Sequence, residues 1–381
     1  MRPLRVAGLF AGIGGFELGM ERAKHETVLL CESDPAASAV LAKEFGHVRL
    51  VGDVRELKAL PKETDVVTAG FPCQDLSQAG QTKGIRGAKS GLVGEVFRLA
   101  RARPIPWLVL ENVPFMLQLS RGRALEVIVS ALEELGYKWA YRVVDSRAFG
   151  LPQRRERVFI VASLEEDPRH VLFADDVGAP DMSGLDIDEV ACGFYWTEGL
   201  RGLGWAVDAV PTLKGGSSIG IPSPPAIRLP AGTLVKPHLR DAERMQGFRA
   251  GWTRPAATVG RASYRWRLVG NAVSVPVAKW IGRRLANPAA FELALVKEID
   301  RGRPWPRAAW NVGDGRRTTV LSAWPVQYKQ SSLVEFLRHE PTLLSERATA
   351  GFLSRTTKAK LRFPPGFIKT VRSHLDAMRA G

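Results

Sequence analysis

Cysteine is scarce in this chain: 381 residues hold three, Cys31, Cys73 and Cys192, with no CxxC pair among them. That spacing argues against a zinc site and against a disulfide framework, and it suits a reducing cytoplasm. Long apolar runs are missing too. No stretch nears the ~18 consecutive apolar residues that a membrane helix needs. Met1-Arg2-Pro3-Leu4-Arg5 leads into no apolar signal-peptide core. Internal repeats and low-complexity tracts are absent, which sets aside solenoid arrays. Acidic residues are in deficit: 39 Asp and Glu face 54 Lys and Arg, a net charge of +15, with a pI near 10.1. That balance points to a polyanionic partner, nucleic acid above all.

What is present is a rhythm of short apolar runs ending in chemically useful residues. A chain of this length can bury one large core and carry two or three structural units. Asp65-Val66-Val67-Thr68-Ala69 reads as a buried strand and runs into Gly70-Phe71-Pro72-Cys73-Gln74-Asp75-Leu76-Ser77. One thiol therefore sits at the exit of a strand, where open α/β sheets place their chemistry. Pro72 fixes its own φ and restricts Phe71, so the turn is stiff. From these residues alone Cys73 is a nucleophile, a metal ligand or a buried core thiol.

The strands around it follow the same plan. Leu4 to Leu9 reads as a first strand, followed by a glycine-rich turn, Phe10-Ala11-Gly12-Ile13-Gly14-Gly15, that opens a helix. Val28 to Cys31 is a second strand ending at Glu32, 20 residues past Gly12, where a carboxylate can accept both hydroxyls of a ribose. Val48 to Asp53 is a third, its terminal acid suited to an adenine amino group. Both acids could equally be caps or solvated loop residues. The turn lacks a full G-x-G-x-x-G, so a nucleoside cofactor without phosphates fits better than a dinucleotide. Gly80, Gly84, Gly87, Gly91 and Gly94 alternate with Lys83, Arg86 and Lys89, either as a basic loop that closes on a phosphate backbone or as a plain surface loop.

Trp107 to Leu110 is a fifth strand ending at Glu111-Asn112-Val113. An acid so placed is a proton donor of raised pKa or a structural group. Gln153-Arg154-Arg155-Glu156-Arg157 feeds the strand Val158 to Val161, and Arg155 and Arg157 are expected on one face of it. Salt bridges to Glu156 are the competing account. From Glu165 to Pro237 the βα rhythm lapses. It resumes with a short helix near Leu239 and an amphipathic one over Val277 to Leu285. Residues 291–381 carry 16 Lys and Arg against 8 Asp and Glu, with Trp305, Trp310 and Trp324 among them, a basic but folded appendage.

In chain order, Phe10-Ala11-Gly12-Ile13-Gly14-Gly15, Gly70-Phe71-Pro72-Cys73-Gln74, Glu111-Asn112-Val113, Gln153-Arg154-Arg155-Glu156-Arg157, Arg244-Met245-Gln246-Gly247-Phe248 and Gly270-Asn271-Ala272-Val273 resemble the motifs of the DNA cytosine-5 methyltransferase family across residues 9–285. The resemblance implies an α/β, Rossmann-like S-adenosylmethionine methyltransferase fold: a mixed, mostly parallel sheet flanked by helices. It further implies a small irregular target-recognition domain, with a C-terminal appendage beyond the shared motifs. The expected domains are a catalytic one over 1–165 completed by the helix at about 257–290, a target-recognition domain and hinge over 166–256, and a basic extension over 291–381.

By that resemblance Cys73 is the nucleophile that adds to C6 of a flipped-out cytosine in duplex DNA, Glu111 the acid at N3, Arg157 the contact to O2, and Arg155 its neighbour positioning the base. Among side chains, a thiolate combines nucleophilicity with leaving-group ability near neutral pH. Phe10, Gly12, Ile13, Gly14, Glu32, Asp53, Pro72, Asn271 and Val273 match positions that contact S-adenosyl-L-methionine, which leaves as S-adenosyl-L-homocysteine; no metal is implied. Gln74, Ser77, Lys83, Arg86, Lys89 and Gln153 are placed for DNA. Asp75-Leu76 departs from the small and aromatic pair common in the family. The implied setting is cytoplasmic: a monomer on double-stranded DNA, in a restriction–modification or anti-phage system whose endonuclease or defence proteins act on the same DNA. Competing readings are a transfer RNA cytosine-5 methyltransferase on the same fold and a DNA-binding protein without catalysis.

Overall fold

A computed structural model describes residues 2–72, 91–182, 184–215, 224–299 and 304–380. The chain divides into two compact units, the first made of Met1–Ala148, Glu156–Ala179 and Ala272–Gln327, the second of Phe149–Arg155, Pro180–Asn271 and Tyr328–Gly381.

The first unit is built on a mixed sheet. Its strands are β1 (Arg5–Leu9), β2 (Glu26–Cys31), β3 (Arg49–Val51), β4 (Val66–Ala69), β5 (Trp107–Asn112), β6 (Lys138–Asp145) and β8 (Glu156–Ser163), with β7 (Gln153–Arg154) outside it. From one side the order is β6, β8, β5, β4, β1, β2, β3. The strands β1 to β5 run parallel, and β8 lies antiparallel to both β5 and β6. Every residue of β4 and β5 is buried, as expected where both faces of a sheet are covered.

Both faces are covered. The helices α3 (Leu92–Ala102) and α4 (Arg123–Glu134) put Val96, Phe97, Ile128 and Leu132 into one core with Val158, Ile160 and Trp139 of the sheet. On the opposite face Phe159 meets Phe16 of α1 (Gly15–Arg22) edge-on, ring centroids 6.2 Å apart. Next to β2, α2 (Pro35–Glu44) begins with Pro at its first position, and Asp34 accepts from Ala36 and Ala37 N–H, a strong start signal. A late helix, α8 (Val275–Ala286), returns to pack on α1. At Gly19 a Cβ would lie 2.4 Å from that of Ala278, so the two helices approach at a distance only glycine permits.

Part of the expected appendage proves to be sheet. Three further strands, β14 (Lys297–Glu298), β15 (Ala308–Asn311) and β16 (Arg317–Thr318), extend the edge beyond β6, giving ten strands among the described residues. Trp310 of β15 pairs with Ala140 of β6. Arg142 locks this edge from below. Its fully buried guanidinium donates to the carbonyls of Ser322, Leu172 and Asp175 and to the carboxylate of Asp176. Burial pulls its pKa down to about 10, so it stays charged at neutral pH. The extension over 291–381 is therefore shared: 291–327 completes the first unit, and 328–381 belongs to the second.

The second unit holds a five-stranded antiparallel sheet, β10 (Ala206–Val207), β9 (Cys192–Phe194), β12 (Ala226–Arg228), β13 (Leu234–Lys236) and β17 (Thr342–Leu343), in that order. A pair of short parallel strands, β7 and β11 (Val210–Pro211), stands beside it. The stretch 165–237 looked irregular because strands of two or three residues are too short to display alternation. Helices α6 (Leu239–Met245), α7 (Arg265–Asn271), α9 (Leu333–Phe336), α10 (Glu346–Thr356) and α11 (Phe367–Ala380) complete the unit, and Phe352 and Phe367 pack on Phe194 with centroids 5.3 and 5.0 Å away. The expected target-recognition domain and hinge ran over 166–256; the second compact unit runs on to Asn271 and so includes α7.

Arg142→Met keeps the bulk of the side chain but strips donors from three carbonyls and a carboxylate. The expected loss is about 3 kcal/mol of unfolding free energy, read as a lower urea midpoint. A loss below about 0.5 kcal/mol would show that this edge is held by strand pairing alone.

Candidate active site

The carboxyl ends of five parallel strands form a row in the order β5, β4, β1, β2, β3. Glu111, the Gly70–Pro72 turn, the Phe10–Gly15 turn, Glu32 and Asp53 stand at those ends. Four inter-strand steps separate the first from the last, about 19 Å at the usual strand spacing.

The glycine turn is set by left-handed backbone at Phe10 (φ 55°), Gly12 (φ 57°) and Gly14 (φ 83°). For Phe10 that conformation costs energy and marks a constrained site. Gly12 N–H donates to Glu32 Oε2 at 2.7 Å, and Asp34 N–H to Oε1 at 2.8 Å. Glu32 thus ties the turn to the end of β2; burial raises its pKa while these N–H bonds oppose the shift. A Cβ at Gly12 would meet nothing within 4 Å, whereas one at Gly15 would lie 2.4 Å from the Val273 carbonyl oxygen. Gly12 therefore faces open space, and Gly15 lets Val273, from the far end of the chain, lie against the turn. Ile13 has its side chain in the core. Asp53 is held by Arg55, whose Nη2 donates at 2.6 Å and lowers the carboxyl pKa.

At the other end of the row, Glu111 Oε1 lies 3.0 Å from Arg157 Nε. Sheet register explains the pairing. Glu111 is opposite Phe159 in the antiparallel β5–β8 ladder, so Arg157 is its diagonal neighbour on the same face. Next to it, Asn112 Nδ2 donates to the Phe71 carbonyl at 3.0 Å, and its Oδ1 accepts from Val113 N–H. That buried amide fastens the turn leading through the exposed Pro72 to Cys73. It was not singled out from sequence, although Asn beside a candidate acid at a strand end was the available signal.

Cys73, Gln74, Ser77, Lys83, Arg86 and Lys89 lie outside the described residues. The remaining thiols are poor nucleophiles. Cys31 is buried, and desolvation with the nearby Glu32 and Asp53 charges pushes it up to about 12. Burial also raises Cys192. No cluster of three His, Cys, Asp or Glu suited to a metal occurs among the described residues.

Three expected site residues belong to the second unit. Arg155 does not continue the strand that carries Arg157: β7 ends at Arg154, β8 begins at Glu156, and the two strands belong to different sheets. Buried Arg155 donates to the carbonyls of Leu213 and Gly270 at 3.3 and 3.1 Å. Gln153, expected at DNA, is likewise buried. Its amide donates to Met245 O and Gln246 Oε1 and accepts from Leu213 N–H, so its polar atoms are spent inside this unit. Asn271 is exposed at the end of α7, while Val273 belongs to the first unit.

Residues 4–183 match the family model of the C-5 cytosine-specific DNA methylases. The chain is 49% identical over 389 residues to the Type II methyltransferase M2.BsuMI of Bacillus subtilis (strain 168), covering 98% of each. It is 29% identical over 297 residues to the Type II methyltransferase M.MspI of Moraxella sp, covering 73% of this chain and 69% of that protein. Among solved structures, the Dnmt2 methyltransferase of S. pombe superposes with a TM-score of 0.52 at 16% identity, over 75% of this chain and 99% of that one. That likeness bears on the fold alone.

Beneath the glycine turn, Glu17 of α1 is fully buried against Gly8 and Thr68, whose hydroxyl donates to Oε1 at 3.0 Å. Oε2 has no hydrogen-bond partner among the described residues. Desolvation pushes its pKa up to about 7 from 4.5. A raised carboxyl pKa means the folded chain holds the proton more tightly than the unfolded one. The stabilisation is complete below pH 4.5 and is lost as pH rises through 7, on the order of 3 kcal/mol in all. Glu17→Gln should flatten this slope. Urea unfolding at pH 5 and 8 reads the difference, and parallel profiles for both proteins would refute the assignment.

Proposed function

The chain belongs to the DNA cytosine-5 methyltransferases, and from that premise we propose that Cys73, Glu111 and Arg157 carry out the reaction at its active site. The enzyme transfers a methyl group to C5 of cytosine in DNA. C5 of cytosine is a weak nucleophile. The thiolate of Cys73 adds to C6, and the ring electrons move toward N3 and O2, leaving C5 as the carbon of an enamine. Glu111 delivers or shares a proton at N3, and Arg157 balances charge at O2 while its guanidinium orients Glu111. S-adenosylmethionine, when bound, supplies an electrophilic methyl group on a sulfonium. Once C5 carries the methyl group, a base, water in the simplest case, takes its proton. The C5–C6 double bond re-forms, Cys73 is expelled as thiolate and the N3 proton returns to Glu111.

The observation that carries this reading is the Glu111–Arg157 pair, 3.0 Å apart beside the turn that Asn112 holds ahead of Cys73. The buried, raised thiols of Cys31 and Cys192 support Cys73 as the nucleophile. Phe10, Gly12, Ile13, Gly14, Glu32, Asp53, Pro72 and Val273 hold the cofactor on this reading. The open space beside Gly12 and the acids ending β2 and β3 suit a nucleoside without phosphates. Asp53 must then exchange its Arg55 contact for the ligand. Asn271 matches a cofactor-contacting position of the family, and Gln74, Ser77, Lys83, Arg86 and Lys89 meet phosphates around the extruded base, whose unstacking costs a few kcal/mol. The Type II designation of the Bacillus subtilis relative supports a restriction–modification role in the cytoplasm. There the enzyme marks sites that a companion endonuclease would cut.

Bisulfite sequencing of plasmid DNA from cells expressing the protein should reveal methylated cytosines in one recurring context, lost in Cys73→Ser. Methylation that survives in Cys73→Ser would sink the covalent mechanism. Glu111→Gln should lower single-turnover methylation about 10²- to 10⁴-fold with DNA affinity unchanged. A variant within tenfold of the parent would remove Glu111 from proton transfer.

A further inference from the structure

Between Glu346 and Asp376 the chain carries seven Lys and Arg and no Asp or Glu. This is the most one-sided charge run outside the shared motifs, and it belongs to the second unit. Its fold separates apolar from basic residues. On α11, Phe367, Val371 and Leu375 recur at helical spacing and are buried, and Phe367 and Val371 join Phe194, Leu234 and Phe352 in one core. Lys369 and Arg372, on the other side of the helix, are exposed. His374 is not part of the basic set: it is buried, with Nδ1 accepting from Leu234 N–H and Nε2 2.8 Å from Leu344 O.

The segment between α10 and α11 adds Lys358, Lys360 and Arg362, all exposed, and Arg347 stands exposed at the start of α10. The seventh cation, Arg355, is spent on the carbonyls of Trp196 and Glu198. None of the six exposed cations has an ion-pair partner among the described residues. Elsewhere in the chain arginines are commonly paired, as at Arg142, Arg228, Arg244 and Arg316. Thr370 reaches the β12–β13 hairpin, where a Cβ at Gly232 would lie 3.5 Å from its methyl group. The basic helix is thus anchored to the small sheet through its apolar side and one hairpin end.

We propose that this surface, Lys358, Lys360, Arg362, Lys369 and Arg372, is a phosphate-backbone contact for duplex DNA, supplying affinity without base readout. Unpaired, exposed cations carried on a packed scaffold are what counterion release requires, and they carry no sequence information themselves. The proposal rests on the reading above that the substrate is duplex DNA.

The test uses the full chain with Lys358, Lys360, Lys369 and Arg372 all changed to Gln, and binding of a duplex measured across a salt series. Each lost phosphate contact lowers the slope of log affinity against log salt by about 0.9. The expected result is a slope smaller by about 2 to 4, with the methylated sequence context and single-turnover rate at saturating DNA unchanged. Arginine at the three lysine positions should restore the parental slope. An unchanged slope overturns the proposal, as does a slope that falls for transfer RNA but not for duplex DNA. A parent protein that neither binds nor methylates duplex DNA would instead overturn the functional reading itself.

Discussion

Glu111 and Arg157 meet because β5 and β8 pair antiparallel in one register, Glu111 opposite Phe159 and Asn112 opposite Val158. A slip of one residue would turn Arg157 to the other face and bury the wrong side of β8. That register is well specified: Val158, Ile160 and Ala162 must enter the core with α3 and α4, while Phe159 meets Phe16 of α1. The hydrophobic division between two helical layers therefore decides where a charged pair stands. Asn112, next along β5, uses the same strand end to hold Phe71. The Glu111 carboxylate, the Arg157 guanidinium and the Gly70–Pro72 turn are thus referred to one ladder.

The glycine-turn side of the row depends on close approach instead. Gly15 and Gly19 bring Val273 and α8 against α1 at distances no other residue would allow. A segment some 260 residues downstream in a chain of this length reaches the first turn through backbone contact, an arrangement that glycine makes sterically possible. Beneath it, the buried carboxyl of Glu17 is accepted at the expense of a pKa near neutrality, which couples the scaffold of the turn to pH.

Burial separates the polar residues that reach a ligand from those that build the fold. Gln153 and Arg155 sit among motif residues, yet their donors go to Met245, Gln246, Leu213 and Gly270 of the second unit. A buried polar group must be satisfied where it lies, and here the satisfaction is internal. The same rule explains Arg142, a charge inside the first unit that fastens β15 and the segment around Asp175 to β6. The tail beyond residue 290 is accordingly two things: a sheet edge, and a helical cover with a basic outer face.

Local pattern made much of this legible. Short apolar runs marked β1, β2, β4, β5 and β8, helical periodicity marked α8, and the residues closing each strand named the candidate acids and thiol. These signals survive without tertiary context because burying both faces of a central strand demands an unbroken apolar run. Other features had no local signature. Strands of two or three residues show no period, so the small sheet looked like loop. Arg155 and Arg157 are two residues apart and read as one strand, but the chain changes sheets between them. The division of residues 291–381 rests on Ala308–Asn311 finding β6 more than 160 residues away in sequence, and non-local pairing is written in no short window. Sequence alone determined which residues could do the chemistry, because reactivity belongs to side-chain type and to strand-end position. Only the tertiary structure decided which of them are spent on holding the fold, because hydrogen-bond satisfaction depends on neighbours brought in from elsewhere in the chain.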